Sequence, residues 1–236
     1  VEALQELAFK YPSYGFRKLF AYLKRSGKPW NHKKVYRVYK LLKLSKKLRG
    51  KRRLPDRVKQ PLIQQEQINN SWSMDFMSDS LMGIRKFRTF NVMDDCSKEA
   101  LDIEIDTSLT SKRIILTLER IIEQRGKPKT IRTDNGPEFT SKGFEPWCKE
   151  QGIENQYIQP GKPMQNGYIE RFNRLYREAI LDAYVFMDLN VVRFLTREWI
   201  EEYKYHRTHE ALNNLTPDEW KRNLEITEIH KSNTVC

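Results

Sequence analysis

The run from Ile131 to Arg177, IRTDNGPEFTSKGFEPWCKEQGIENQYIQPGKPMQNGYIERFNRLYR, constrains this chain more than any other stretch. It opens on an apolar step into Asp134 and a tight Asn-Gly-Pro turn. It closes on a strongly patterned helix bearing Glu170, and 35 residues separate the two acids. A third acid, Asp75, stands in the short apolar run WSMDF. The two-residue period of a strand puts Trp72, Met74 and Phe76 on one face and Asp75 on the other. Asp134 ends a strand, where functional acids of open α/β sheets commonly stand. Glu170 falls in the first turn of a helix whose inward stripe is Ile169, Phe172, Tyr176 and Ile180. The opposite face presents Asn166, Glu170, Asn173 or Arg174, and Arg177, spaced by three or four. A glutamate near a helix start also stabilises the helix by itself. Three carboxylates converging without a cation repel, and at least one takes up a proton. They make better sense as a cage for Mg²⁺, which takes oxygen ligands.

Charge is divided unevenly along the chain. Residues 1–60 hold 19 Lys/Arg against Glu2, Glu6 and Asp56, a net of +16, whereas the remaining residues carry a net of −4 out of the total of +12. A basic module joined to a mildly acidic domain is the electrostatic footprint of nucleic-acid binding. No stretch of about 18 apolar residues is present, so no membrane span is expected. VEALQELAFK lacks the apolar segment of a signal peptide. It also lacks an initiator Met, as a fragment of a longer product would. Cys96, Cys148 and Cys236 are scattered without ligand spacing, which fits a reducing cytoplasm and argues against a disulfide framework.

Three short helices are expected at the front. Leu4, Leu7 and Ala8 face inward on the first, which Tyr11-Pro12 ends. Leu19, Tyr22 and Leu23 serve the second, and Val35, Val38, Tyr39 and Leu42 the third, which Asn31 caps. The outward face of the third offers Lys33, Lys34, Arg37 and Lys40, as a helix-turn-helix unit requires for lying in a groove or along phosphates. KKLRGKRRLPDRVK follows, a basic linker in which Lys46, Lys47, Arg49, Lys51, Arg52 and Arg53 are expected to track phosphate.

The second region reads as α/β. Strands are expected at WSMDFM, KFRTFNVMDD and ALDIEID, then a helix over 111–124, a strand at 130–133, a helix near 141–151 and a strand at 153–158. Helices at 168–186, 191–206 and 217–223 close the chain, the last opened by the capping box Thr216–Glu219 with Pro217 at its first position. A meander followed by alternating helix and strand points to a mixed sheet with helices on both faces. The expected organisation is a helix-turn-helix-like region at 1–45, a linker at 46–68, a core at 69–226 and a tail at 227–236.

WSMDF, IRTDNGPEF and QPGKPMQNGYIERFNRLYRE resemble the three signature blocks of retroviral-integrase-like DDE transposases. More narrowly, they resemble those of the second-reading-frame product of bacterial insertion sequences of the IS-three family. The spacing of 35 and a basic residue seven after the glutamate, here Arg177, belong to that pattern. YKYHRTHEALNNLTPDEW and the basic front end resemble the family's closing segment and its helix-turn-helix. The resemblance implies a ribonuclease-H-like five-stranded mixed sheet in which Asp75, Asp134 and Glu170 hold two Mg²⁺, with Mn²⁺ substituting. It implies cleavage at the ends of an insertion element and strand transfer, on terminal inverted repeats and target DNA. The protein would act as a homo-oligomer in a synaptic complex, in a bacterial cytoplasm at the nucleoid. No His/His/Cys/Cys zinc block precedes the core, which departs from retroviral integrases. A DNA-binding repressor with a silent core and a nuclease that only hydrolyses are the rival readings.

Other residues have plainer explanations. Asp94 and Asp95 abut a turn, where Asp is favoured locally, and Glu138 reads as a capping or surface acid. Asn135 either makes its turn or positions DNA. Lys162, Gln165 and Asn166, on a Pro/Gly loop beside Glu170, are expected to contact DNA, together with Asn173, Arg174 and Arg177. His209 reads as structural, and Trp147, Trp199 and Trp220 as core.

Overall fold

The computed structural model describes residues 1–45, 65, 67–83, 85–159 and 166–233. The chain divides into two compact units, Val1–Lys59 and Gln60–Cys236. In the first, α1 (Glu2–Lys10), α2 (Phe16–Arg25) and α3 (His32–Leu41) enclose Leu4, Tyr14, Leu19, Leu23, Val35 and Tyr39. Asn31 caps α3 as expected, its side chain accepting from the Lys33 amide at 2.8 Å. Satisfying one of the orphan amides of a first turn is what favours Asn there. Lys33, Lys34, Arg37 and Lys40 are all exposed. Lys46, Lys47, Arg49, Lys51, Arg52 and Arg53 lie outside the described residues.

In the second unit, β1 (Ser71–Ser80), β2 (Lys86–Asp94), β3 (Ala100–Asp106), β4 (Thr130–Thr133) and β5 (Glu154–Tyr157) form one sheet in the order β3-β2-β1-β4-β5. β1 pairs antiparallel with β2 and parallel with β4. The ladder is therefore mixed, and β1 sits at its centre. α4 (Ser111–Arg125) and α5 (Phe144–Gln151) cover one face, where Trp72, Met74, Phe90 and Ile131 meet Ile114, Leu118, Phe144 and Trp147. α6 (Gly167–Tyr176) and α7 (Leu189–Tyr205) cover the other, where Met77, Phe87, Met93 and Ile105 meet Ile169, Phe172, Tyr176 and Trp199. Helices on both faces of a mixed sheet are the expected fold class.

Two helices depart from expectation. The helix expected to run to residue 186 stops at Tyr176, and a single π turn over Arg177–Leu181 takes its place. Its inward stripe still holds, since Ile169, Phe172, Tyr176 and Ile180 are buried. α8 begins at Pro217 on the predicted capping box, with Thr216 and Glu219 exchanging bonds of 3.2 and 3.0 Å. It runs to Asn233 rather than ending near residue 223, so the expected domain boundary at 226 falls within it. Trp147 and Trp199 are buried, while Trp220 is half-buried.

Candidate active site

Asp75 stands mid-strand on β1, on the face that meets α6. Strand alternation sends Trp72 and Met74 to the opposite core. Its carboxylate is held at both oxygens: Oδ1 accepts from the Phe76 amide at 2.8 Å and Oδ2 from the Asn173 side chain at 2.8 Å. The Asn173 carbonyl in turn accepts from Asn91 Nδ2 at 2.7 Å, and Asn91 lies directly across the ladder from Asp75. A relay Asn91–Asn173–Asp75 thus ties β2 and α6 to the acid of β1. Asn173, expected at a DNA-facing surface, is instead buried beneath α6. The sequence carries a signal for this relay, because Asn91 interrupts an otherwise apolar and aromatic strand segment.

Asp134 follows directly on β4 and is exposed. Its Oδ1 accepts from the Gly136 amide at 2.9 Å, and a Cβ at residue 136 would lie 2.9 Å from that same oxygen. A side chain at that step would have to displace the Asp134 carboxylate from this position. Glu170 is exposed in the first turn of α6. Burial pushes the Asp75 carboxyl up to about 6, and the charges of Asp134 and Glu170 push in the same direction, against the amides of Phe76 and Asn173. The charges of Asp134 and Glu170 therefore both reach Asp75, one from the end of β4 and one from the start of α6. Among the described residues, no three such side chains stand close enough to hold an ion between them. An all-oxygen donor set under mutual repulsion fits a hard divalent cation.

The flanking residues sort differently from the sequence reading. Arg174 is exposed on α6. Arg177 turns back onto β1, donating to the Ser78 carbonyl at 3.1 Å with Asp79 and Asp182 each at 3.6 Å. It fastens the π turn to the strand while its side chain stays partly exposed. Asn166 is buried, with a side-chain oxygen that finds no partner among the described residues. The position expected to contact DNA from the loop is thus buried at the N-cap of α6. Lys162 and Gln165 lie outside the described residues. Asn135 is exposed and donates to the Ile158 carbonyl at 3.1 Å, joining the turn to the end of β5. Glu138 pairs with Arg88, whose guanidinium lies 4.3 Å from the Phe76 ring centroid. Asp94 and Asp95 are buried and bonded within their own turn and to its neighbours. His209 bridges to Leu215 and meets the edge of Tyr203. A cavity of about 390 Å³ between β3, α4 and α7, lined by Asp102, Glu104 and Arg120, contains none of the three acids. No helix among the described residues is long and apolar enough to cross a membrane.

A mixed five-stranded sheet in this order, covered by helices on both faces, is the fold of an integrase core. Residues 65–163 and 151–217 each match the integrase core domain, and residues 2–52 match an HTH-like domain. The chain is 38% identical over 223 residues to the insertion element IS407 uncharacterized 31.7 kDa protein of Burkholderia multivorans, covering 92% of this chain and 78% of that protein. It is 36% identical over 229 residues to the insertion element IS476 uncharacterized 39.2 kDa protein of Xanthomonas euvesicatoria, covering 97% of this chain and 66% of that longer protein. In fold it resembles the intasome of simian T-cell lymphotropic virus solved in complex with PP2A regulatory subunit B56 gamma. The TM-score is 0.50 at 18% identity, over 87% of this chain and 70% of that one. The chain belongs to the integrase-core proteins of bacterial insertion elements, the IS-three family.

Proposed function

We propose that this protein is a DDE transposase that cleaves DNA at the ends of its own insertion element and joins the freed ends to new DNA. The observation that carries the reading is the placement of Asp75 on the central strand, Asp134 directly after the neighbouring β4 and Glu170 in the first turn of the covering helix. Asp75, Asp134 and Glu170 would hold Mg²⁺ or Mn²⁺. When bound, a pair of such ions supplies activation of the attacking oxygen and charge stabilisation of the leaving oxygen. The chain's own residues do the rest by positioning. Asn173 and the Phe76 amide fix the Asp75 carboxylate in one orientation. The exposed cations Lys33, Lys34, Arg37 and Lys40 take phosphates of the element ends, and Arg174 takes those nearer the acids. Water attacks the phosphodiester at the element end and a 3′-OH leaves. That hydroxyl then attacks a second phosphodiester, displacing another 3′-oxygen and joining the strands. Two element ends must be held together, so the active form is an oligomer on DNA in the bacterial cytoplasm.

The test is a strand-cleavage and joining assay with Mg²⁺ and labelled terminal-repeat DNA. Joined product is expected, and Glu170→Gln is expected to lower cleavage and joining at least a thousandfold with DNA affinity within twofold. Hydrolysis without joining would make the protein a nuclease, and binding without either would make it a repressor. Retained joining in the variant would remove Glu170 from the site.

A further inference from the structure

The turn between β2 and β3 is closed by one side chain and carries two more that reach across the core. Asp94 Oδ1 accepts from the Cys96 amide at 3.0 Å, the Ser97 amide at 2.7 Å and the Ser97 hydroxyl at 2.9 Å. That is sufficient to make the turn. Asp95 and Lys98 are 0% and 7% exposed, and their side chains go elsewhere. Asp95 Oδ1 accepts from Ser73 Oγ at 2.5 Å, and Oδ2 from Ser71 Oγ at 2.9 Å and Arg132 at 3.2 Å. The Lys98 ammonium donates to the Asp95 carbonyl and sits 3.2 Å from the centroid of the Tyr168 ring.

The residues reached follow one rule. Ser73 stands two before Asp75, Arg132 two before Asp134, and Tyr168 two before Glu170. One turn thus fastens each of the three acid-bearing elements a fixed, short step from its acid. Two residues along a strand return to the same face, and the first turn of a helix is rigid over the same step. Lys98 also adopts φ 58°, a left-handed backbone that glycine or asparagine takes at less cost. A lysine kept there points to its side chain as the reason. Buried ions of this kind are poor stability devices, since apolar replacements of similar volume often serve a fold as well.

We propose that Asp95 and Lys98 are positioning residues, which clamp β1, β4 and α6 together so that Asp75, Asp134 and Glu170 stand in the relative register from which a cation can draw them together. The inference rests on the reading of those three acids as metal ligands. Asp95 sets the two strands through Ser73 and Arg132. Lys98 sets the helix through the face of Tyr168, where a cation is attracted by the ring quadrupole.

The experiment titrates Mn²⁺ into the full chain, follows free Mn²⁺ by electron paramagnetic resonance, and measures joining rate against Mn²⁺ concentration on terminal-repeat DNA. Lys98→Met is expected to raise the Mn²⁺ dissociation constant at least tenfold and Tyr168→Leu at least fivefold. Tyr168→Phe, which keeps the ring face, is expected to rescue affinity to within threefold of the parent. The loss in joining should appear first in the metal concentration needed for half-maximal rate, with DNA affinity unchanged. A merely structural role would lower thermal stability without moving that concentration. Should Lys98→Met fail to fold, the Leu and Phe variants at the half-buried Tyr168 decide the matter. Glu170→Gln separates the two layers of argument. If it binds Mn²⁺ like the parent, the ligand assignment itself is wrong. If it loses Mn²⁺ while Lys98→Met and Tyr168→Leu stay within twofold of the parent, the positioning role alone is overturned.

Discussion

Helix α3 and the outer side of β3 use the same residue types to opposite ends. On α3, Lys33, Lys34, Arg37 and Lys40 are exposed, and none of the four forms an ion pair among the described residues. Along β3, the acids Asp102, Glu104 and Asp106 are met by Arg113 and Arg120 from α4, with Arg113 at 2.8 Å and Arg120 at 3.0 Å from Glu104. Beside β3 the cations are matched by acids of the fold, and on α3 they are not. Net charge alone does not separate these cases. What does is whether a neighbouring element supplies the counter-ion, and the segment around α3 offers only Glu2, Glu6 and Asp56 against 19 cations.

That contrast is most sharply tested by neutralising both surfaces. Changing Lys33, Lys34, Arg37 and Lys40 together to Gln is expected to weaken binding of terminal-repeat DNA by about a hundredfold at low salt. It should also flatten the slope of log affinity against log salt by about 3 to 4. Filter binding across a salt series reads both numbers. An unchanged slope would mean that α3 does not face phosphate. Arg120→Ala is the matching change in the core. It leaves Asp102 and Glu104 short of a partner and is expected to cost about 1–2 kcal/mol in urea unfolding, discounted because Arg120 is about half exposed. Its salt slope should remain that of the parent, and a flattened slope would erase the distinction between the two surfaces.

What could be read from sequence followed the range of the interactions involved. The Asn31 cap, the Thr216–Glu219 capping box and the buried stripe of α6 depend on residues within a few positions of one another, and all three stand where periodicity and capping rules put them. The two strand acids and Glu170 were legible from strand alternation, a turn and a helix start. Asn173 was not. It adjoins the buried stripe of α6, and only the approach of β1 and β2 decides that its amide points at Asp75 and Asn91 rather than at solvent. The anchoring of Arg177 was not legible for the same reason, since the π turn that aims it at Ser78 replaces a helix that local propensity would have continued. Asp95 looked like a turn former beside Asp94. Its reach to Ser73 and Arg132 spans the sheet, and no local pattern announces it.

Lys98 offers the finest version of the same comparison, a buried lysine in a chain rich in exposed ones. Burial brings its ammonium down to about 8, with Arg132 acting in the same direction and Asp95, Cys96 and Asp94 acting against it. The Tyr168 ring is the group that faces it from α6. Its unfolded value is about 10.4. Between about pH 8 and 10, then, the unfolded chain holds a proton on Lys98 that the folded chain has released, and the Lys98 contribution to stability rises with pH across that window. The gain is at most about 1.4 kcal/mol per pH unit from this one group. Urea midpoints at several pH values from 7 to 9.5, without metal, should move in the parent's favour relative to Lys98→Met as pH rises. A parent whose midpoint falls steadily through the window, with the variant falling in parallel, would show that the Lys98 ammonium is stabilised where it lies, and that its burial between Asp95 and Tyr168 costs the fold nothing.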